Sequence, residues 1–504
     1  MNLKVFIKIT FLYFILIPNI SSSQIKSDNI KEKIIENNTT IKFLNSNSEA
    51  INKNIIQITN LKDILIKNNK ELKILQNRVE EAKATFKSKL AAWYPRFYLT
   101  SNDLPKYAIG NEYNNLDSDT STDKLSLGIN ANIDWDIINP KRRLEIAIAK
   151  EELSNSELIF ESKKNNLLLD AFTLFYNIQA SYQEIEVAKK SIEISNIALT
   201  EAEEKYNSGI GNKLEVLEAK TQLDRDQIKL MKKKGELNKS KNSLFLLLNI
   251  EDTYDVKKNN RSFIGYLWDK NFDKSLSEAY INRKDLEIKN KNVSINKKKS
   301  LSILSGKKPN LTFYNQYSLN TTWGESNVST KPDYANQNKS NLNNVGIKFN
   351  WNLFDGGLIK QNYLASESRS NELKEELQLS RNQIKKELID AFINLDISKE
   401  NIIYSFNQLK AAKETLEISL KRLYAGLTTQ REVINIQADV SESESNFINA
   451  ITEYNITLGK LERITLLEKK DICNLNTAEE NESNNYFYKF ILENNLKKSC
   501  GEII

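Results

Sequence analysis

The chain reads LSLGINANIDW at residues 125–135, and this stretch decides the class of fold. Every second residue from Leu125 to Trp135 is apolar, and the residues between them are small or polar. Such alternation is typical of a β-strand with one buried face, and about ten residues are enough for a tilted strand that crosses a membrane. A soluble antiparallel sheet with one solvated face gives the same pattern, so this stretch alone leaves both alternatives open.

Three further segments carry the same alternation. They lie at residues 345–353, at residues 311–323 and, more weakly, at residues 97–107. Polar loops rich in Asn, Asp, Ser and Thr at residues 111–124 and 324–342 join the strands in pairs. Trp and Tyr residues near the strand ends favour a membrane, because these side chains are enriched at membrane interfaces. The sequence therefore predicts four transmembrane strands.

The strands recur because the chain contains one pattern twice. Trp135 matches Trp351 at an offset of 216 residues, and Gly209 matches Gly426 at an offset of 217. A repeat of more than 200 residues is too long for a solenoid unit and indicates a duplicated half of a domain.

Heptad rows in each copy predict a long helical hairpin. One row is bulky and consists of Ala171, Ile178, Ile185, Ile192, Leu199 and Tyr206, repeated as Leu388, Leu395, Ile402, Leu409, Leu416 and Leu423. The companion row is almost entirely Ala and Ser, which permits close helix packing, and it ends at Gly209 and Gly426. Glycine can end a helix in the left-handed conformation. We expect outgoing helices near residues 139–206 and 358–424, each about 100 Å long. Coiled coils with a purely mechanical role fit the rows equally well.

The composition argues against catalysis and against nucleic-acid binding. The chain has no histidine, so Ser-His-Asp and Cys-His catalysis are excluded. The 72 basic and 66 acidic residues are spread along the chain, whereas a nucleic-acid site needs clustered Lys and Arg. A hydrolase that uses carboxylates alone would need a compact pocket, which the periodic pattern does not build. We expect no enzyme, no cofactor and no metal site.

The first residues have the features of an export signal. Lys4 and Lys8 precede an apolar run from Ile9 to Ile17 and a small-residue zone at residues 21–23. The division that we predict is a signal peptide (residues 1–23), a polar linker (24–58), a first repeat (59–250), a second linker (251–271), a second repeat (272–466) and a polar tail (467–504). Cys473 and Cys500 in the tail form a disulfide or remain free thiols, and the sequence does not distinguish these.

Four transmembrane strands in one chain require oligomerisation. About eight strands are the smallest number that closes a barrel, and an open sheet edge is not tolerated in lipid. If the strands span a membrane, several copies must share one barrel, and the long helices then extend the pore away from the membrane.

The sequence resembles the TolC family of outer-membrane export channels over about residues 58–465. Trp93-Tyr94-Pro95 is similar to the family's entry into the first strand, and Trp135-Asp136-Ile137-Ile138-Asn139-Pro140 to its strand-to-helix junction. Tyr206-Asn207-Ser208-Gly209 and Tyr424-Ala425-Gly426, each followed by a Glu-Val pair, are similar to its hairpin tips. The order and duplication of these motifs carry the resemblance.

The resemblance implies an α+β membrane protein, a homotrimer with a shared twelve-stranded β-barrel in the outer membrane and a helical barrel (α-barrel) crossing the periplasm. It implies a passive duct for drug efflux or type I secretion, docked to a periplasmic adaptor (a membrane fusion protein) and an inner-membrane transporter. The exported substrate, the particular pump and the gate mechanism stay open. The alternative is a periplasmic coiled-coil adaptor or scaffold without a pore.

The resemblance also implies roles for residues at the tips. Gly209 and Gly426 would mark the docking surface for the adaptor, and Glu215 and Glu432 would line the pore entrance, where rings of carboxylates favour cations. The alternative for both glutamates is an exposed position that stabilises a helix start. The chain departs from the family's pattern at three positions: Thr428 replaces a gating arginine, Leu423 a gating tyrosine, and Asn435 an acidic residue.

Overall fold

The computed structural model describes residues 54–113, 120–251, 254–259, 263–327, 337–471 and 482–496. The predicted signal peptide, most of the first linker, Cys473 and Cys500 lie outside the described residues. The first half forms, in order, β1 (Asn54–Ile56), α1 (Leu61–Asn68), α2 (Lys70–Leu90), β2 (Arg96–Glu112), β3 (Thr120–Ile138), α3 (Arg142–Asn207) and α4 (Lys213–Leu248). The second half forms β4 (Tyr254–Val256), β5 (Tyr266–Leu267), α5 (Phe272–Asn282), α6 (Lys284–Leu304), β6 (Asn310–Asn327), β7 (Gln337–Asn350), α7 (Leu358–Tyr424), α8 (Gln430–Thr465), β8 (Lys470–Asp471) and α9 (Glu482–Glu493).

Two helical hairpins dominate the structure, α3 with α4 and α7 with α8, as predicted. Helices α3 and α7 have 66 and 67 residues, which corresponds to about 100 Å each. Helix α7 has the bounds expected from the sequence. Helix α3 begins slightly later than expected, because Asn139 and Pro140 form a turn in which the Arg142 amide donates to the Asn139 carbonyl at 3.2 Å.

The small heptad rows lie in the helix seams. The buried members are Ser181, Ala188, Ser195 and Ala202 in α3, and Ala391, Ser398, Ser405 and Ser419 in α7. Their small side chains allow the helices to approach closely, and the hydroxyl oxygens of Ser191 in α3 and Ser441 in α8 are 2.8 Å apart. The two hairpins therefore pack against each other as well as within themselves.

The four predicted strands form one antiparallel sheet in the order β2-β3-β6-β7. Trp135 of β3 lies opposite Phe313 of β6, which lies opposite Ile347 of β7. Strand β2, the one with the weakest sequence pattern, extends further than expected, and its register with β3 shifts twice between Thr100 and Lys106. Each of the outer strands, β2 and β7, has one edge that is not paired within the described residues.

The sheet has the opposite polarity to that of a soluble sheet. Its apolar face is exposed, with Ile129, Trp135 and Ile347 at 45%, 42% and 61% exposure. Its polar face is the more buried one: Asn132 is 8% exposed and donates to the Thr100 hydroxyl at 2.9 Å. A soluble sheet buries its apolar side, whereas a membrane barrel turns that side to lipid. The exposed apolar face therefore favours the membrane alternative.

Short strands and one helix lie within the predicted linkers and tail. Strand β1, in the first linker, pairs in parallel with β4, in the second linker, and β5 pairs with β8. Helix α9, in the predicted polar tail, places Phe487 and Ile491 in the apolar core of the second half. These residues are not simple linkers or tails. Their partners are far apart in the sequence, so no local periodicity marks them.

Candidate functional site at the hairpin tips

The first tip joins α3 to α4 through a tight turn at residues 208–212. Gly209 has a φ of +75°, and the amides of Ile210 and Gly211 both donate to the Lys205 carbonyl, at 3.0 and 2.9 Å. The Asn212 side chain accepts the Leu214 amide at 3.0 Å and begins α4. Glu215 therefore lies in the first turn of α4.

The second tip joins α7 to α8 with a related turn. Gly426 has a φ of +70°, and the Leu427 amide donates to the Arg422 carbonyl at 2.8 Å. The Thr429 hydroxyl accepts the Glu432 amide at 3.4 Å and begins α8. The two glycines thus end their helices in the left-handed conformation that the sequence predicts.

Glu432 has partners on its own hairpin. One carboxylate oxygen lies 3.7 Å from a guanidinium nitrogen of Arg422 across the turn, and the other accepts the hydroxyl of Thr428. Arg422 lies in the last turn of α7, where a cation is favoured by the helix dipole. Arg422 is not among the predicted tip residues, although it lies only ten residues before Glu432 in the sequence.

Glu215 differs from Glu432 although both occupy the same position in their repeats. Among the described residues, its side chain has no ion-pair or hydrogen-bond partner in the protomer, and Lys205 stands where the second tip has Arg422. Gly211 takes the place of Thr428, so a hydroxyl donor is lacking as well. The negative charge of Glu215 is therefore uncompensated by a direct contact.

One ion pair connects the two tips. Arg431 of α8 lies 3.5 Å from Glu218 of α4. Arg431 precedes Glu432, and Glu218 is about one helical turn after Glu215. The structure thus brings the neighbourhoods of both predicted glutamates to one end of the helical hairpins.

The remaining predicted gate positions are ordinary helix and turn residues. Leu423 is half-buried at the end of α7, Asn435 is exposed on α8, and Thr428 is bonded to Glu432.

A cavity of about 430 Å³ lies between the four helices just behind the tips. Asp226 lies on its wall, is 9% exposed and accepts the Ser195 hydroxyl at 2.5 Å. The facing wall is apolar and includes Leu416 and Leu420. The helix packing is therefore incomplete near the tips.

Within the ranges that the structure describes, no helix is both long and apolar enough to span a membrane. In the same ranges, no group of three or more Asp, Glu or Cys side chains is arranged so that it could hold a metal ion.

Comparisons with known proteins identify the family. The model of the family described as outer membrane efflux protein matches residues 61–249 and 315–465, which together are more than half of the chain. The chain belongs to this family. Outer membrane efflux proteins are channels of the outer membrane whose helices extend into the periplasm, and this chain is such a channel protein.

Solved structures of outer membrane efflux proteins have the same fold. CusC, whose structures describe transmembrane channel formation, is 15% identical with a TM-score of 0.68 and covers 84% of this chain and 95% of its own. The CmeC outer membrane channel of Campylobacter jejuni is 15% identical with a TM-score of 0.67, covering 81% and 85%. The outer membrane protein VceC of Vibrio cholerae is 14% identical with a TM-score of 0.66, covering 81% and 96%. The sequence matches no curated protein.

Proposed function

We propose that three copies of this chain form one passive export duct. The three sheets join edge to edge into a twelve-stranded barrel in the outer membrane, and the hairpins form a tube through the periplasm. The observation that carries this proposal is the four-stranded sheet with an exposed apolar face and two edges that no other described strand pairs with.

Strand direction supports edge-to-edge joining. All neighbouring strands are antiparallel, so β2 and β7 run in opposite directions. A β7 edge can therefore pair with the β2 edge of the next copy and keep the sheet antiparallel all round. Two copies would give eight strands, whose interior is filled by side chains. Three copies are the smallest closed ring with an open lumen.

The polar face supports a water-filled lumen. Asn130, Asn132 and Ser318 lie on that face and are buried by their neighbours, and the Tyr98 hydroxyl donates to Asp134 there at 2.6 Å. A barrel that closes with its apolar face outward encloses these side chains, as expected for a channel.

The tips would serve as the entrance and the docking surface. Gly209 and Gly426 lie at the far end of the hairpins, where a periplasmic adaptor and an inner-membrane transporter would engage the tube. Three copies of Glu215 and Glu432 around the axis would favour cations. The chain would perform no catalysis, and the energy for export would come from the transporter.

The alternative, a pore-less periplasmic scaffold, has no support from the family or the related structures. A soluble scaffold would also have to expose the apolar face of the sheet to water, and contiguous apolar patches of this kind are rare on soluble proteins.

The test begins with the mature protein extracted from outer membranes in mild detergent. We expect a native mass of three chains and discrete conductance steps in planar bilayers. A soluble periplasmic species would overturn the proposal.

A matched pair of substitutions tests the orientation of the sheet. Val345 is on the apolar face of β7 and Asn344 is on the polar face. We expect Val345→Arg to impair membrane assembly, because an arginine facing lipid costs about 2–4 kcal/mol at the membrane midplane. Asn344→Arg should assemble and change only the conductance. Equal effects would contradict a lipid-facing apolar side.

A further inference from the structure

The two halves differ where the helices enter the sheet. The first half has Trp93-Tyr94-Pro95, and the second has Lys307-Lys308-Pro309 at an offset of 214 residues. The backbone is the same at both places. The indole of Trp135 donates to the Trp93 carbonyl at 3.0 Å, and the indole of Trp351 donates to the Lys307 carbonyl at 3.0 Å. In the second half, Lys307 and Lys308 thus occupy the positions that Trp93 and Tyr94 hold in the first half.

These lysines belong to a basic cluster that we define as Lys141, Arg143, Lys307 and Lys308. Ile138 lies opposite Leu311 in the sheet, so the chain segments that hold these residues are adjacent. The Lys141 amine is 3.6 Å from the point where a Cβ on Gly306 would lie. All four side chains are exposed in the protomer.

The cluster has little internal charge compensation. Among the described residues, none of its four cations forms an ion pair. The acidic group that Lys307 affects is Asp355, which accepts the amides of Gly357 and Ile359 at 2.9 and 3.0 Å. These two bonds, with a smaller contribution from Lys307, lower the pKa of the Asp355 carboxyl. The Asp355 carboxylate therefore bonds the backbone at the start of α7 and does not pair with the cluster.

Exposed aromatic side chains lie at the same end of the sheet as the cluster. Tyr94, Trp351 and Phe354 are 72%, 50% and 88% exposed. Aromatic residues of this kind concentrate at the level of lipid headgroups. Lysine side chains lie along such apolar surface while their amines reach the polar layer.

We propose that the basic cluster binds the phosphates of anionic phospholipid headgroups in the membrane leaflet that faces the periplasm. The proposal rests on the function proposed above, because it requires the sheet to lie in a membrane. The cations lie at the helix-side end of the sheet, at the depth where an aromatic belt meets headgroups. An ammonium or guanidinium group forms charge-assisted hydrogen bonds to phosphate oxygens. Each such cation near an anionic surface increases association about fivefold.

The experiment uses the tryptophans of the belt as reporters. The full protein is reconstituted in phosphatidylcholine vesicles that contain either brominated phosphatidylglycerol or brominated phosphatidylcholine, and tryptophan quenching is measured. We expect a preference for phosphatidylglycerol of about 25-fold at low salt, since Lys307 and Lys308 contribute about fivefold each and the two factors multiply. In 1 M salt the preference should fall, because the screening length is then about 3 Å.

A double substitution and a matched control locate the effect. Lys307→Gln with Lys308→Gln should reduce the preference at least threefold. Lys232→Gln with Lys234→Gln, two exposed lysines on α4, should leave it unchanged. Trp268, which is 3% exposed in the protein core, gives a constant background.

The outcomes separate this inference from the proposed function. If brominated phosphatidylcholine quenches and the vesicles conduct, but phosphatidylglycerol is not preferred, the lipid site is wrong and the duct stands. A preference that survives the double substitution at Lys307 and Lys308 also overturns the site. If neither brominated lipid quenches, the sheet is not in the membrane, and the proposed function fails as well.

Discussion

The two hairpin tips share a backbone design and differ in their electrostatics. Both turn at a glycine with positive φ, and both place a glutamate in the first turn of the return helix. At the second tip, Glu432 is held by Arg422 and Thr428, whereas at the first tip no described residue forms such a contact with the Glu215 side chain. Duplication has thus kept the turn while the side chains have diverged. The unpaired glutamate, not the paired one, is the stronger source of negative potential.

The largest effect is expected from substitutions that break the shared turn. Gly209→Val and Gly426→Val would each place a β-branched side chain at positive φ, which costs roughly 1–3 kcal/mol. Hydrogen exchange of the tip amides measures this loss. Gly235→Ala within α4 is the control, because a Cβ there meets no atom within 4 Å, and alanine favours a helix by about 1 kcal/mol. A large loss at one tip only would contradict a common turn.

The next largest effect is expected at Gly211 and Thr428, which occupy the same position in the two turns but differ in the space available for a side chain. A Cβ on Gly211 would lie 2.8 Å from the Tyr206 amide nitrogen, so Gly211→Thr must displace the backbone and should cost roughly 1–3 kcal/mol. The reverse change, Thr428→Gly, removes the hydroxyl bond to Glu432 and should cost about 1 kcal/mol. Hydrogen exchange of the amides at each tip measures both losses of stability. If neither substitution changed the stability of its turn, the two turns would tolerate the same residues at this position, and the difference in crowding would be refuted.

A smaller effect is expected in ion selectivity. Arg422→Gln should raise the preference for cations, because it releases the charge of Glu432, and Glu432→Gln or Glu432→Ala should lower it. Exposed pairs are worth up to about 1 kcal/mol, so each permeability ratio should change by less than about fivefold. Glu215→Gln should lower the preference for cations both alone and when combined with Arg422→Gln. Reversal potentials in planar bilayers give these ratios. If Glu432→Gln changes nothing, Glu432 does not face the pore.

The smallest effect is expected from the ion pair between the tips. Arg431 is 72% exposed and Glu218 is 28% exposed in their side chains, so their coupling should be about 0.2–1 kcal/mol. A double-mutant cycle with Arg431→Gln and Glu218→Gln, read by hydrogen exchange, measures it. The Lys421 and Glu417 pair within α7 serves as the control cycle. A coupling above that range would show that the tips are more firmly linked than one exposed contact allows.

Local periodicity was sufficient to predict the long elements. The C-terminal part of α7 follows from its heptad row, and the existence of β3 and β7 follows from alternation, because a buried face repeats at a fixed interval within each element. Their starts do not follow from it: β3 begins at Thr120 and β7 at Gln337, inside the segments predicted as polar loops. Gly209 and Gly426 could be predicted as turns because few other residues adopt positive φ.

Contacts between distant residues could not be predicted in this way. The pairing of Asn54 with Tyr254 and the packing of Phe487 against Tyr454 join segments that carry no shared period. At the candidate site, the glutamates could be named from the sequence, but the pairing of Arg422 with Glu432 depends on how the turn folds the chain back. The strand β2 was only partly predicted, because its register shifts interrupt the alternation.

The two open edges of the sheet have a consequence for assembly. A row of any number of joined copies still has two open edges, one β2 and one β7, so adding a copy to an open row does not reduce their number. Only ring closure removes both, and it does so in a single step. Since open edges are not tolerated in lipid, the penalty persists until the last copy arrives. In the proposed duct, assembly would therefore be all-or-none, and a cell that makes too little of this chain would accumulate uninserted protomers rather than narrow pores.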